Sequence, residues 1–350
     1  MQAVQCKAAA IKLKLSLPLN FPVPPNYLRS LSSGLPRARL KPGGTRRHLN
    51  SISQTRTNSA AGTTAWPGWL PLVAFPAAIL SFRNRMPAWL FMWALSFAIF
   101  AALKWMTWWT AHDRVPASIG RSLAYLLAWP GMDADTFLDA RVQPDRPRRT
   151  AWLWAATKTA LGLVLLWAIA RRIPAEQSLL RGWIGLFGLI FLLHFGSFHL
   201  ISLFWRTNGI SAAPIMSSPI LSKTLIEFWG KRWNLGFRQL AHEFVFKPLQ
   251  RPTGASVAGL LVFVVSGLIH DLVISVPARG GYGLPTGYFI VQGLGVMFER
   301  SSPARRMGLQ TRLPARIFTL LVTAAPAFWL IHPPFVRRVI IPFMHAIHAL

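Results

Sequence analysis

Long apolar runs with almost no charge inside them constrain this chain more than any other feature. They cover residues 66–82, 87–108, 151–170, 182–205, 254–276, 286–298, 315–331 and 339–350. A helix needs about 20 apolar residues to cross the hydrocarbon of a bilayer, and lipid forbids unpaired charge within that span. Here the charges gather mostly between the runs, and Lys104, Lys158 and Asp271 are the ones that stand inside a run at any depth. The expected fold class is therefore all-α: a multi-pass transmembrane helix bundle of about eight spans with amphipathic interfacial helices. The sixth and eighth runs are short enough to be re-entrant or tilted. The shorter run at 122–129 is expected to lie in the interface.

Composition agrees with that reading. Apolar residues make up 53% of the chain and charged ones 14%, against about 25% in soluble domains. The net charge of +28 invites a nucleic-acid reading, but the basic residues flank apolar segments and no nucleic-acid motif is present. Loops facing anionic headgroups accumulate Lys and Arg in this way. The chain has 16 Trp, and many of them, such as Trp66, Trp69, Trp105, Trp108 and Trp109, stand near the ends of apolar runs, where amphipathic rings suit an interface. The single cysteine, Cys6, leaves no internal disulfide, no thiolate metal site and no buried Cys nucleophile.

Residues 1–64 differ from the rest: they are rich in Ser, Pro, Lys and Arg and contain no acid. Three readings stand for them: a basic disordered tail on the cytoplasmic side, a start placed too early, or a transit peptide. The membrane domain is expected over 65–350. Two of its connections are long. Residues 111–150 hold the block Trp129-Pro130-Gly131-Met132-Asp133. Residues 206–253 are too aromatic for disorder and are expected to form short amphipathic helices against the bundle.

Two constellations carry chemistry. In the fifth run, His270 sits about two-thirds along, followed by Asp271. An ionisable residue inside a span is functional by default, although a core histidine bonded to a neighbouring helix is the plainer alternative. Helical spacing puts Gly259, Phe263, Ser266 and Gly267 on its face, leaving room for a substrate or a closely packed helix. His194 and His199 are five apart, which does not put them on one face as metal ligands, and no metal is expected. The second constellation is Phe228-Trp229-Gly230-Lys231-Arg232-Trp233-Asn234. Read plainly it is an interfacial segment with aromatics among headgroups and Lys231 and Arg232 toward lipid phosphate.

Together these blocks, in order and with Asn234 and His270 36 positions apart, resemble the membrane-bound O-acyltransferase superfamily, most nearly its wax synthase-like branch. Phe246-Lys247-Pro248, Ser275-Val276-Pro277 and Pro214 to Pro219 add to the likeness, whose specific part covers 214–277. Asp271 stands where relatives often carry Glu. The resemblance implies an acyl-CoA-dependent O-acyltransferase that acylates a hydroxyl of a lipid-like alcohol in a tunnel through the bilayer. It makes His270 the catalytic general base and Asn234 the group that orients the acyl carbonyl. Acyl-CoA is then a co-substrate, and no cofactor is implied. Trp229, Lys231, Arg232, Trp233 and Ser266 are the expected substrate-binding residues, with Lys223 and Arg238 as further cations for the phosphates of CoA. Two other readings remain: a multi-pass transporter, which would require inverted repeats not visible here, and a catalytically inactive membrane scaffold.

Overall fold

The computed structural model describes residues 66–309 and 311–350, which lie within one unit, Thr63–Leu350. The readings made for residues 1–64, and Cys6 with them, fall outside the described residues. All regular structure among the described residues is helical. Eight elements carry the bundle: α1 (Trp66–Ser81), α2 (Ala88–His112), α3 (Ile119–Ala128), α4 (Arg149–Arg172), α5 (Ala175–Thr207), α6 (Leu235–Ala241), α7 (Ala255–Ala278) and α8 (Leu284–Glu299). A ninth, α9 (Arg312–Leu330), is followed by short helical turns over 333–346.

Five of these helices, α2, α4, α5, α7 and α9, are long and apolar enough to cross a membrane. The expected number was about eight, and the shortfall has a geometric cause. The first apolar run forms a helix of only 16 residues with Pro71 and Pro76 inside it, and the sixth forms α8, also 16 residues. At 1.5 Å per residue each is about 24 Å long, short of the ~30 Å hydrocarbon layer. The eighth run breaks into short pieces around Val336–Ile340 and Ile341–Ala346. The interfacial helix expected at 122–129 is α3, which buries Tyr125 and exposes Ile119 and Leu127.

The bundle packs mainly through antiparallel neighbours. Helices α7 and α8, joined by a tight turn, touch closely because Gly267 leaves no side chain between them. A Cβ there would lie 2.7 Å from the Thr286 Cα, which is backbone and cannot move aside. Gly267→Leu is accordingly expected to force the two helices apart and to cost about 1–3 kcal/mol or more. The test is the thermal midpoint of the purified protein in detergent, and an unchanged midpoint would refute this packing account.

Lys104, one of the two lysines inside apolar runs, is held by the packing of the bundle. It is 1% exposed, its Nζ donates to the Gly131 carbonyl at 2.8 Å, and it lies 3.0 Å from the centroid of the Tyr125 ring. The Tyr125 hydroxyl in turn shares a hydrogen bond with Thr107 at 2.7 Å. A buried ammonium needs such partners, and these pin the Trp129–Asp133 block to α2.

Candidate active site

His270 ends the α-helical part of α7, and directly after it the helix widens into a π turn over Asp271–Ser275. Such turns break the regular ladder and concentrate at functional sites. The His270 ring is oriented from its own helix: Nδ1 lies 2.7 Å from the Ser266 carbonyl. A carbonyl only accepts, so Nδ1 carries the proton and Nε2 is left with its lone pair. Ser266 thus serves the site through its backbone, while its hydroxyl donates to the Val262 carbonyl at 2.9 Å.

The Phe289 ring of α8 packs 4.4 Å from the His270 ring, and the Trp229 ring meets Phe289 at 5.8 Å, tilted by 50°. Trp229 also meets Phe263 edge-on at 5.6 Å and donates from its indole to Gln292 at 3.3 Å. Gln292 is wholly buried and donates to the Val322 carbonyl at 2.6 Å, so it ties Trp229 to α9. The Phe228–Asn234 block therefore touches α7 directly at Phe263 and reaches the His270 ring through Phe289; Phe263 was singled out in the sequence, Phe289 and Gln292 were not. A polar residue in the middle of an apolar run is the signal that could have found Gln292.

The Phe228–Asn234 block is built as a folded unit. The Trp233 ring stacks on Phe228 at 5.5 Å. Arg232 pairs with Glu227 at 2.7 Å and donates to the Ser217 and Ser218 carbonyls at 3.1 and 3.3 Å. Its guanidinium is spent on holding the block to the Pro214–Pro219 segment, whereas Lys231 is exposed. Arg238 caps the Gly230 carbonyl at 2.8 Å. Asn234 has a left-handed backbone (φ 43°), and its side-chain oxygen caps α6 by accepting from the Phe237 N–H at 3.5 Å. Asn tolerates that conformation better than most residues and is a good cap. None of the hydrogen bonds among the described residues joins Asn234 to His270, and none uses its Nδ2.

Two acids brace the arrangement. Glu299, buried at the end of α8, accepts from the Leu225 and Ile226 N–H groups at 3.0 Å each and so fixes the start of the block. Asp271 accepts from the Ser275 hydroxyl at 2.8 Å, the Gly283 N–H at 2.8 Å and the Thr286 N–H at 3.0 Å, and also from the Thr286 hydroxyl. None of these hydrogen bonds goes to the His270 ring; they join Ser275 of α7 to the turn and the first residues of α8.

Burial pushes the Glu227 carboxyl up, but the Lys223 N–H and the Arg232 guanidinium outweigh it and hold the group below its ordinary value. A depressed carboxyl stabilises the fold above its unfolded value, near 4.5, and that contribution is lost as pH falls through the folded value. The thermal midpoint is expected to be flat in this respect from about pH 6 to 8 and to fall on acidification below about pH 4.5. Glu227→Gln should flatten part of that acid limb, and an unchanged limb would refute the assignment.

With this geometry in view, comparison with known proteins is informative. Residues 212–291, which carry both blocks, match the model of the membrane bound O-acyl transferase family. The likeness is to the wax synthase-like branch of the membrane-bound O-acyltransferases. A probable long-chain-alcohol O-fatty-acyltransferase of Arabidopsis thaliana (number 7) is 30% identical over 37% of this chain and 42% of its own. The long-chain-alcohol O-fatty-acyltransferase of Simmondsia chinensis is 27% identical over 38% and 41%. An acyl-CoA–sterol O-acyltransferase of Arabidopsis thaliana is 28% identical over 37% and 41%. The chain thus spans about two fifths of the length of the curated relatives it matches.

Proposed function

We propose that the chain transfers an acyl group from acyl-CoA to the hydroxyl of a lipid-like alcohol, forming a wax ester or a related lipid ester at His270. The observation that carries this reading is the fixed tautomer of His270. With Nδ1–H committed to the Ser266 carbonyl, Nε2 is the nitrogen able to take a proton. The family match over 212–291 and the long-chain-alcohol acyltransferases among the relatives support the reaction class.

In this mechanism Nε2 accepts the proton of the alcohol as its oxygen attacks the thioester carbonyl. The charge that develops on the ring is met by the Ser266 carbonyl through Nδ1–H. The tetrahedral oxyanion collapses, the C–S bond breaks, and the imidazolium returns the proton to the departing CoA thiolate. Ester and CoA thiol result, with no protein nucleophile and no cofactor. Asn234 orients the acyl carbonyl through Nδ2, and what supports this role is that its Oδ1 is already committed to the cap of α6. Trp229 and Trp233 form the aromatic wall for the acyl chain, and Lys231 offers a point charge to the donor. Arg232 contributes by holding the block together.

The test supplies purified protein with radiolabelled palmitoyl-CoA or acetyl-CoA and a mixed pool of long-chain alcohols, diacylglycerol and sterol. A labelled ester is the expected product, and its identity names the acceptor. No ester with either donor and any acceptor would overturn the reading.

A further inference from the structure

A cavity of about 1190 Å³ opens between the first half of α4, the last part of α5 and residues 218–221. It lies outside the His270 cluster and is strongly basic. Arg146, Arg148, Lys158 and Arg206 line it together with the apolar side chains of Ile220 and Leu221. Asp145 is its one acid, and Asp145 meets Arg206 through its backbone carbonyl, at 2.9 Å. None of the ion pairs among the described residues involves any of these four cations.

Lys158 makes the cavity more than a basic loop. It is the tenth residue of α4, about 13 Å along the helix from Arg149. A lysine at that depth is expensive unless it meets water or an anion. Its ammonium lies 6.0 Å from the centroid of the Phe195 ring, and from there rings continue inward. Phe195 meets Trp233 at 6.4 Å, Trp233 meets Trp229 at 6.4 Å, Trp229 meets Phe289 at 5.8 Å, and Phe289 meets His270 at 4.4 Å. A chain of ring contacts thus runs from Lys158, which lines the cavity, to His270.

We propose that this cavity binds the phosphate groups of an amphiphile, with Lys158 and Arg206 as the inner contacts and Arg146 and Arg148 at its mouth. Four cations without a carboxylate partner match an anion of more than one charge, and Arg suits phosphate through paired N–H donors. The apolar walls suit the attached chain. Two sources share this chemistry: the diphosphate and phosphate of the acyl donor, and the headgroup of an anionic phospholipid. That the bound molecule feeds His270 rests on the acyl-transfer reading, but phosphate binding itself does not.

The experiment measures binding rather than turnover, so its failure and the failure of acyl transfer stay distinguishable. The full chain in neutral phosphatidylcholine nanodiscs is titrated with palmitoyl-CoA, with dihexanoyl phosphatidic acid, and with S-palmitoyl pantetheine in which no phosphate is present. Lys158→Met and Arg206→Gln are each expected to weaken binding of a phosphate-bearing ligand by about tenfold or more, the scale of one charge-assisted hydrogen bond. S-palmitoyl pantetheine binding should stay unchanged, and Lys158→Arg should retain affinity. A loss confined to palmitoyl-CoA identifies the donor as the source, and a loss confined to phosphatidic acid identifies the lipid headgroup. Arg146→Gln with Arg148→Gln, both exposed, covers the case in which the inner variants fail to fold. That pair should weaken binding several-fold and reduce its salt dependence. Unchanged affinity for both phosphate ligands in every folded variant would overturn the proposal.

Discussion

Replacing His270 by Ala is expected to lower ester formation by at least about 100-fold, the lower end of what a positioned general base contributes. The expectation rests on the ring's orientation as well as on its identity. The Ser266 carbonyl takes the Nδ1 proton at 2.7 Å, which leaves a single basic nitrogen whose direction is set by the ring. His270→Gln keeps a similar volume against Phe289, 4.4 Å away, and so separates loss of packing from loss of the base. Both variants should keep the thermal midpoint of the wild type within a few degrees while losing kcat. A variant that forms ester as fast as the wild type would remove His270 from the mechanism. A collapse of the midpoint in both variants would instead make this a core histidine, the plainer reading of its sequence position.

Asp271→Ala is expected to have the largest effect on stability. Its carboxylate takes hydrogen bonds from Ser275, Gly283 and Thr286, and so joins α7, the turn after it and the first turn of α8. The network extends one step further. His332 is wholly buried; its Nδ1 accepts from the Phe335 N–H at 3.2 Å, so its Nε2 carries the proton and lies 3.3 Å from the Ser275 hydroxyl. Hydrogen bonds to a charged group contribute about 1.5–3 kcal/mol each. Losing several at once should cost at least about 3 kcal/mol even with strong non-additivity. Activity should fall too, because α8 carries Phe289 against His270. Asp271→Asn should be intermediate, since its amide replaces one acceptor with a donor that faces the N–H and hydroxyl of Thr286. Thermal midpoints in detergent decide the matter, and a midpoint for Asp271→Ala equal to the wild type would sink the bracing role.

Much of the bundle was legible because lipid imposes a coarse and severe rule on composition. The runs at 87–108, 151–170, 182–205, 254–276 and 315–331 became α2, α4, α5, α7 and α9, with ends shifted by a few residues, in α5 by seven. The runs at 66–82, 286–298 and 339–350 obey the same rule of composition without the length to span, and hydropathy alone does not separate a short packed helix from a crossing one. The short apolar helix α3 was legible from the length of its run and its flanking Arg121.

The candidate site divides in the same way. Residue type and spacing drew attention to His270 and the Phe228–Asn234 block but left a core histidine and an interfacial segment open; the family resemblance carried by the two together gave them a role. The sequence placed Arg232 among substrate contacts, yet folding brings Glu227, Ser217 and Ser218 around it and consumes its donors. It also did not show that Lys158 and Arg206, from two different helices, line one cavity with Arg146 and Arg148 from a loop.

The sequence by itself thus determined that the chain is a helical membrane protein and that His270 lies inside an apolar run, since both follow from composition counted along one chain. Only the tertiary structure decided the packing of Phe289 against His270, the meeting of Trp229 with Phe263 and Phe289, and the bracing by Asp271 and Glu299. Those depend on which groups from distant segments come within hydrogen-bond or ring-contact distance, and distance between segments is not a property of either segment alone.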